Sequence, residues 1–240
     1  MNFYSQQGED IYIYRNFINK ERSDGIFVEL GAVNGVTFSN TKFFEDTLHF
    51  TGTLIEPTTQ YLNLIKFRSR CKNYNVAVNC TKDKVKFLGD SFTAGIVDTM
   101  DDKFKNNWHP DSQEYYVDGE PFSDILHKSN LTYIDLLSID VEGGEEVVLN
   151  TMDFTIPVYV ICIELDGHNV DKDERCRKIL INNGFSFDRR ICINEFWYNP
   201  NYYRKELLYD NTKQPFHNMN ELGNFIFLAP HCAEEVCDNL

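Results

Sequence analysis

Along the chain, short runs of β-branched and aromatic residues alternate with stretches whose apolar positions recur at helical spacing. The runs "GIFVEL" (25–30), "GTLIE" (52–56), "YNVAV" (74–78), "YIDLLSID" (133–140) and "VYVICIEL" (158–165) predict strands. Several are apolar almost throughout, as strands buried on both faces are, so the alternation predicts an α/β fold with a parallel sheet covered by helices. Helices are expected at 39–47, 58–68, 122–128, 145–152 and 171–183. The last has Cys176, Ile179, Leu180 and Asn183 on one face and Gly184 placed to end it.

After this helix the rhythm changes. "FSFDRRICI" (185–193) and "NFIFLA" (224–229) have no helical pattern between them and predict an antiparallel pair at the sheet edge. Two polar stretches interrupt the alternation, at 100–120 and 194–222. Both are rich in aromatics and read as lids or binding loops rather than disordered segments. Without repeats or low-complexity tracts, residues 1–240 are expected to form a single domain with these two excursions, either of which offers a surface for a homodimer.

A chain of 240 residues can bury roughly 70% of its unfolded surface, enough for a large core. With 23 basic against 37 acidic residues, the net charge of −14 disfavours nucleic acid and anionic lipid as partners. The sequence lacks the roughly 18–20 residue apolar run of a membrane helix and a leader-like N-terminus, so a cytoplasmic protein is expected. Seven scattered cysteines, at spacings that would not chelate zinc, read as free thiols of a reducing compartment.

The candidate chemistry clusters at the ends of the expected strands. "GIFVELGAVNGVTFSNT" (25–41) places Glu29 at a strand end, then Gly31 and Gly35 before a helix, a turn that lets a ligand approach the main chain. It lacks the third glycine of a dinucleotide fold and the Gly-Lys of a phosphate loop. The next strand ends in Glu56 of "LIEP", where a carboxylate can accept both hydroxyls of a ribose. An acid-edged pocket for an adenosine without phosphates suits S-adenosylmethionine, whose sulfonium and ammonium are cationic. The strand "LLSIDVEGGEE" delivers Asp140 and Glu142 before Gly143 and Gly144, whereas Glu145 and Glu146 suit the positive end of a helix. "ICIELDGHN" adds Glu164, Asp166 and His168 to the same rim; His168 reads as a general base or a surface histidine, with a metal ligand as the lesser alternative.

Taken in order, "YSQQGEDIYI" (4–13), "FVELGAVNGVTFSNT", "LIEP", "NVAV", "LLSIDVEGGE" and "VICIEL" resemble the FkbM family of S-adenosylmethionine-dependent methyltransferases over residues 4–190, with "NPNYYR" (199–204) beyond. The resemblance implies a class I methyltransferase (Rossmann-like) fold, a seven-stranded, mostly parallel sheet with helices on both faces and an antiparallel C-terminal hairpin. It also implies O-methylation, commonly of a sugar hydroxyl in a glycan or glycoconjugate, alternatively of a lipid or polyketide hydroxyl. Many members carry aspartate where Glu29 stands.

By position, the resemblance implies a cofactor site of Gln6, Glu29, Gly31, Ala32, Gly35, Asn40, Glu56, Pro57, Ala77, Asp90, Ser91 and Asp140. Ser5, Gln6 and Glu9 are expected to close over it, with helix capping as the competing role of Ser5. Asp140, Glu142, Glu164 and His168 are the candidates for the base that deprotonates the acceptor. A divalent ion, magnesium or manganese, on Asp140, Glu164 and Asp166 is the alternative. Trp108, Tyr115, Trp197 and Tyr203 are the aromatic candidates for an acceptor cleft. A partner-binding domain without chemistry and a nicotinamide dehydrogenase are the competing functions, opposed by the retained acids and by the glycine spacing.

Overall fold

The computed structural model of the chain describes residues 1–212. In chain order the elements are α1 (Glu9–Asn16), β1 (Ile26–Leu30), α2 (Lys42–Leu48), β2 (Thr51–Ile55), α3 (Tyr61–Phe67), β3 (Lys72–Tyr74), β4 (Ala77–Val78), β5 (Lys84–Leu88), β6 (Gly95–Ile96) and α4 (Asp102–Trp108). They continue with β7 (Tyr115–Glu120), α5 (Phe122–Lys128), β8 (Ile134–Ile139), α6 (Glu145–Thr151), β9 (Val158–Glu164), α7 (Val170–Asn182), β10 (Ser186–Ile191), β11 (Asn194–Tyr198) and α8 (Lys205–Leu208).

Seven strands form one sheet in the order β10-β11-β9-β8-β1-β2-β3. The pairs from β9 to β3 are parallel, and β11 runs antiparallel to both β9 and β10. Every residue of β8 is buried, as is all of β9 except Glu164, in keeping with strands covered on both faces. One core packs Phe3, Ile13, Phe43 and Tyr159 on one face; a second packs Phe122, Val148, Leu149 and Leu180 on the other. The four-stranded sheet β4-β7-β5-β6, with α4, stands beside the carboxyl ends of the large one.

Several elements differ from their sequence expectation. The run 74–78 is two strands in two sheets, because the side chain of Asn75 turns inward to donate to the carbonyls of Glu56 and Thr58. Helix α2 begins three residues later than expected, since Ser39, Asn40 and Thr41 are held by Glu29 instead. The stretch 100–120 is not an irregular excursion. It contains α4, capped by Asp101 accepting from the amides of Lys103 and Phe104, and β7 at the centre of the small sheet. Residues 194–198, read as the start of another excursion, are β11, the partner of β10; the strand expected at 224–229 lies outside the described residues.

The motif "NPNYYR" fastens the amino end of β8. Buried Asp135 accepts from the Ile26 amide, from Tyr202 at 2.7 Å and from Arg204 at 3.3 Å, while Tyr202 stacks on Tyr159. Among the described residues, no helix is long and apolar enough to cross a membrane.

Candidate functional site

The carboxyl ends of β1, β2, β8 and β9 open into a cavity of about 310 Å³, roofed by the small sheet and α4. Its wall includes twelve of the expected site residues: Gln6, Gly31, Ala32, Glu56, Pro57, Ala77, Ser91, Asp140, Glu142, Glu164, Asp166 and His168. The sheet explains this convergence, because parallel strands deliver successive loops to one edge.

Four expected ligands do not line it. Glu29 is buried, accepting hydrogen bonds from Ser39 Oγ, the Asn40 amide and Thr41 Oγ1, so it shapes the loop from behind. Gly35 is needed for packing: at φ 78°, an added Cβ would lie 2.6 Å from Arg68 Cγ and Leu64 Cδ1. Asn40 donates to Ser138 Oγ at 3.0 Å, and Asp90 accepts from Thr59.

Gly31 admits a close approach of the chain to itself. A Cβ there would sit 1.8 Å from the carbonyl oxygen of Asp140, so the loops after β1 and β8 cross in contact. The amides of Gly31 and Ala32 donate to Ile55, and that of Val33 to Glu56 Oε2 at 2.7 Å. The turn therefore keeps these donors for itself rather than offering them to a ligand, as the sequence suggested. Val33 and Glu142 both hold positive φ, at 45° and 51°, an uncommon conformation concentrated at this rim.

Glu56 is fixed by two backbone amides, Val33 on one oxygen and Thr58 on the other at 2.8 Å. Burial nevertheless raises its pKa above the usual carboxylate range. Asp140, Glu142 and Glu164 bring one oxygen each within 4.8 Å of the others. Burial pushes Asp140 up to about 6, and burial together with neighbouring carboxylates holds Glu142 and Glu164 well above their ordinary values. The pattern is that of acids that cannot all ionise together.

Asp166 accepts from the His168 amide and contacts Nδ1 of the same ring, leaving Nε2 to exchange a proton. Glu145 and Glu146 serve the start of α6. Glu145 accepts from the Gly143 amide and from Lys172, and Glu146 forms a bidentate pair with Arg175.

Of the four aromatic candidates, only Trp108 lines the cavity. Tyr115 donates to the Gly89 carbonyl, Trp197 is buried against Phe187, and Tyr203 stands exposed beside Tyr202 of the Asp135 cluster at the other end of β8. Phe38 and Phe104, unassigned from sequence, join the wall, as does Phe92 of "LGDSF" (88–92), a segment expected to meet the adenine. Phe104 lies four residues before Trp108 on α4, a spacing that the helix and its Asp101 cap would have revealed had 100–120 been read as structured.

The N-terminal segment crosses this end of the molecule. Ser5 forms an isolated parallel bridge with Phe38 and shares hydrogen bonds with Asp10, while Gln6 reaches the cavity. Gly8, rather than Ser5, precedes α1, and buried Glu9 holds Asn194 at 2.8 Å.

Comparison with known families gives a match to the Methyltransferase FkbM domain over residues 29–187. No curated protein matches the chain.

Proposed function

The chain belongs to the FkbM methyltransferase family, and from that premise we propose that it is an O-methyltransferase that uses S-adenosylmethionine and acts on a sugar hydroxyl of a glycan or glycoconjugate. The observation that carries the reading is one cavity holding the Gly31 turn, Glu56 and the Asp140, Glu142 and Glu164 cluster.

The donor set fits the cofactor. Glu56 Oε2 accepts the Val33 amide and Oε1 is held by Thr58, and a carboxylate fixed in this way keeps acceptor capacity for a ribose hydroxyl. Pro57, Val76, Ala77, Val78 and Phe87 supply an apolar wall for a flat base, and the acid cluster complements a cationic sulfonium. When bound, S-adenosylmethionine supplies an electrophilic methyl group.

The chain's own residues supply position and a proton acceptor. Holding an acceptor hydroxyl against a fixed partner can remove about 7–11 kcal/mol of barrier. The proton of that hydroxyl passes to an ionised oxygen of the Asp140, Glu142 and Glu164 cluster, or to Nε2 of His168, with Asp166 orienting the ring. The aromatic wall of Phe38, Phe92, Phe104 and Trp108 favours a sugar over an aliphatic lipid or polyketide acceptor.

A second reading has its own support. Asp140, Glu142 and Glu164 present three oxygens at a separation that a hard divalent cation such as magnesium or manganese accepts. In this grouping Glu142 takes the place expected for Asp166. An ion there would neutralise the cluster and acidify a bound hydroxyl.

The test is calorimetric titration with S-adenosylmethionine and S-adenosylhomocysteine, with and without magnesium or manganese. Glu56→Ala is expected to weaken both ligands at least tenfold, about 1.4 kcal/mol. Absence of binding at millimolar ligand would sink the cofactor assignment and favour a partner-binding domain.

A further inference from the structure

The charged side chains that line the cavity are all acidic. Glu56, Asp140, Glu142, Glu164 and Asp166 face it, and among the described residues neither lysine nor arginine does. Nearby Lys172 is already paired with Glu145 and Asp173, and Arg68 is fully buried beneath the Gly35 turn. An anionic group on an acceptor would therefore meet carboxylates with no lysine or arginine among the described residues to compensate, a repulsion that the poorly solvated wall screens weakly.

One side of the same cavity offers apolar ring faces. Phe104 packs edge-on to His168 at 5.7 Å and beside Trp108 at 6.3 Å. Phe104 also borders a small recess with Glu142, Asp166 and His168, so this aromatic row runs up to the carboxylate rim. Trp108 terminates the row with 61% of its surface exposed, unusual for a tryptophan whose helix buries Phe104. A ring with one apolar face and hydroxyls at its edge fits such a platform, and a protonated amine would be attracted by both the indole face and the acids.

We infer that the acceptor is a neutral or amino-substituted hexopyranose that stacks on Trp108, and that sugars carrying a carboxylate or phosphate near the reacting hydroxyl are excluded. Trp108 is thus a specificity-determining residue, and nucleotide-activated or phosphorylated sugars are not substrates. The inference rests on the methyltransferase reading of the cavity and narrows its acceptor.

The protein carries its own reporter for the test. Its two tryptophans are Trp108, at the rim, and Trp197, 2% exposed in the core. In a Trp197→Phe variant the emission therefore comes from Trp108. With EDTA and saturating S-adenosylhomocysteine present, this variant is titrated with methyl hexopyranosides of the gluco, galacto and manno series and with glucosamine. Glucuronate, galacturonate and the two corresponding 6-phosphates are titrated in parallel.

At least one neutral or amino sugar is expected to change the emission and to bind tenfold or more tightly than its anionic counterpart. Calorimetry on the unmodified protein should give the same order, and Trp108→Ala should abolish the preferred binding while Trp108→Tyr keeps most of it. Equal or tighter binding of an anionic sugar would overturn the inference, as would absence of sugar binding or its survival in Trp108→Ala. S-adenosylhomocysteine binding, followed separately by calorimetry, distinguishes the failures. If it binds without this sugar preference, only the acceptor inference falls; if it does not bind, the cofactor reading falls and takes the inference with it.

Discussion

Asp140, Glu142 and Glu164 stand close enough that removing one charge should relieve the other two. Their pKa values are raised in the folded protein, so the native state binds more protons than the unfolded chain between the two sets of values. Stability from this cluster is therefore highest below the unfolded carboxylate range and falls as pH rises through about 6 for Asp140 and higher for its partners. Glu164→Gln is expected to raise the melting temperature at pH 8 in EDTA and to lose that advantage at pH 5, where the parent is itself largely protonated. Turnover of the same variant should fall by about 10²–10⁴ if Glu164 is the base. An unchanged rate with an acid limb still present would transfer the role to Asp140, Glu142 or His168. These acids were legible in the sequence because buried strands end in them. Gly35 lies outside the cavity wall, and nothing in the local pattern says that the fully buried side chain of Arg68 lies behind it.

Helix α3 reaches the glycine turn through that arginine. Arg68 is ion-paired with Glu45 and donates to the Gly35 carbonyl at 2.9 Å and to the hydroxyls of Ser39 and Thr41. Arg68→Ala would leave Glu45 buried with only the partly exposed Arg70 beside it, and should cost about 3–5 kcal/mol in denaturant unfolding. Gly35→Ala, forced into positive φ against the same arginine, should cost about 1–3 kcal/mol; a neutral result would show that the turn can relax. Helices α5, α6 and α7 and strands β1, β2, β8 and β9 were readable because periodicity and full burial both mark them. The small sheet was not, because β4 and β6 are two residues long and the strand that joins β4 to β5, β7, lies far along the chain from both. Helix α1 escaped as well, since residues 9–14 are buried without a polar face, which erases the helical stripe.

At the scale of the molecule, the cavity lies between the large sheet and the small one, so a ligand there ties the two together. S-adenosylhomocysteine at about 100 times its Kd should add about 2.7 kcal/mol to stability. Hydrogen exchange should slow across 84–108 as well as 31–39, while β10, whose residues are not in the cavity wall, stays unchanged. Unaltered exchange in the small sheet would show that it takes no part in binding. The matched family region begins at Glu29, yet Phe3, Ile11, Ile13 and Ile18 from the preceding segment are almost wholly enclosed with Phe43 and Phe196. Evolutionary kinship and mechanical integrity are thus partitioned differently along this chain. An expression fragment trimmed to residues 29–187 would keep most of the ancestral signature but expose one side of its interior, and would be expected to precipitate rather than fold.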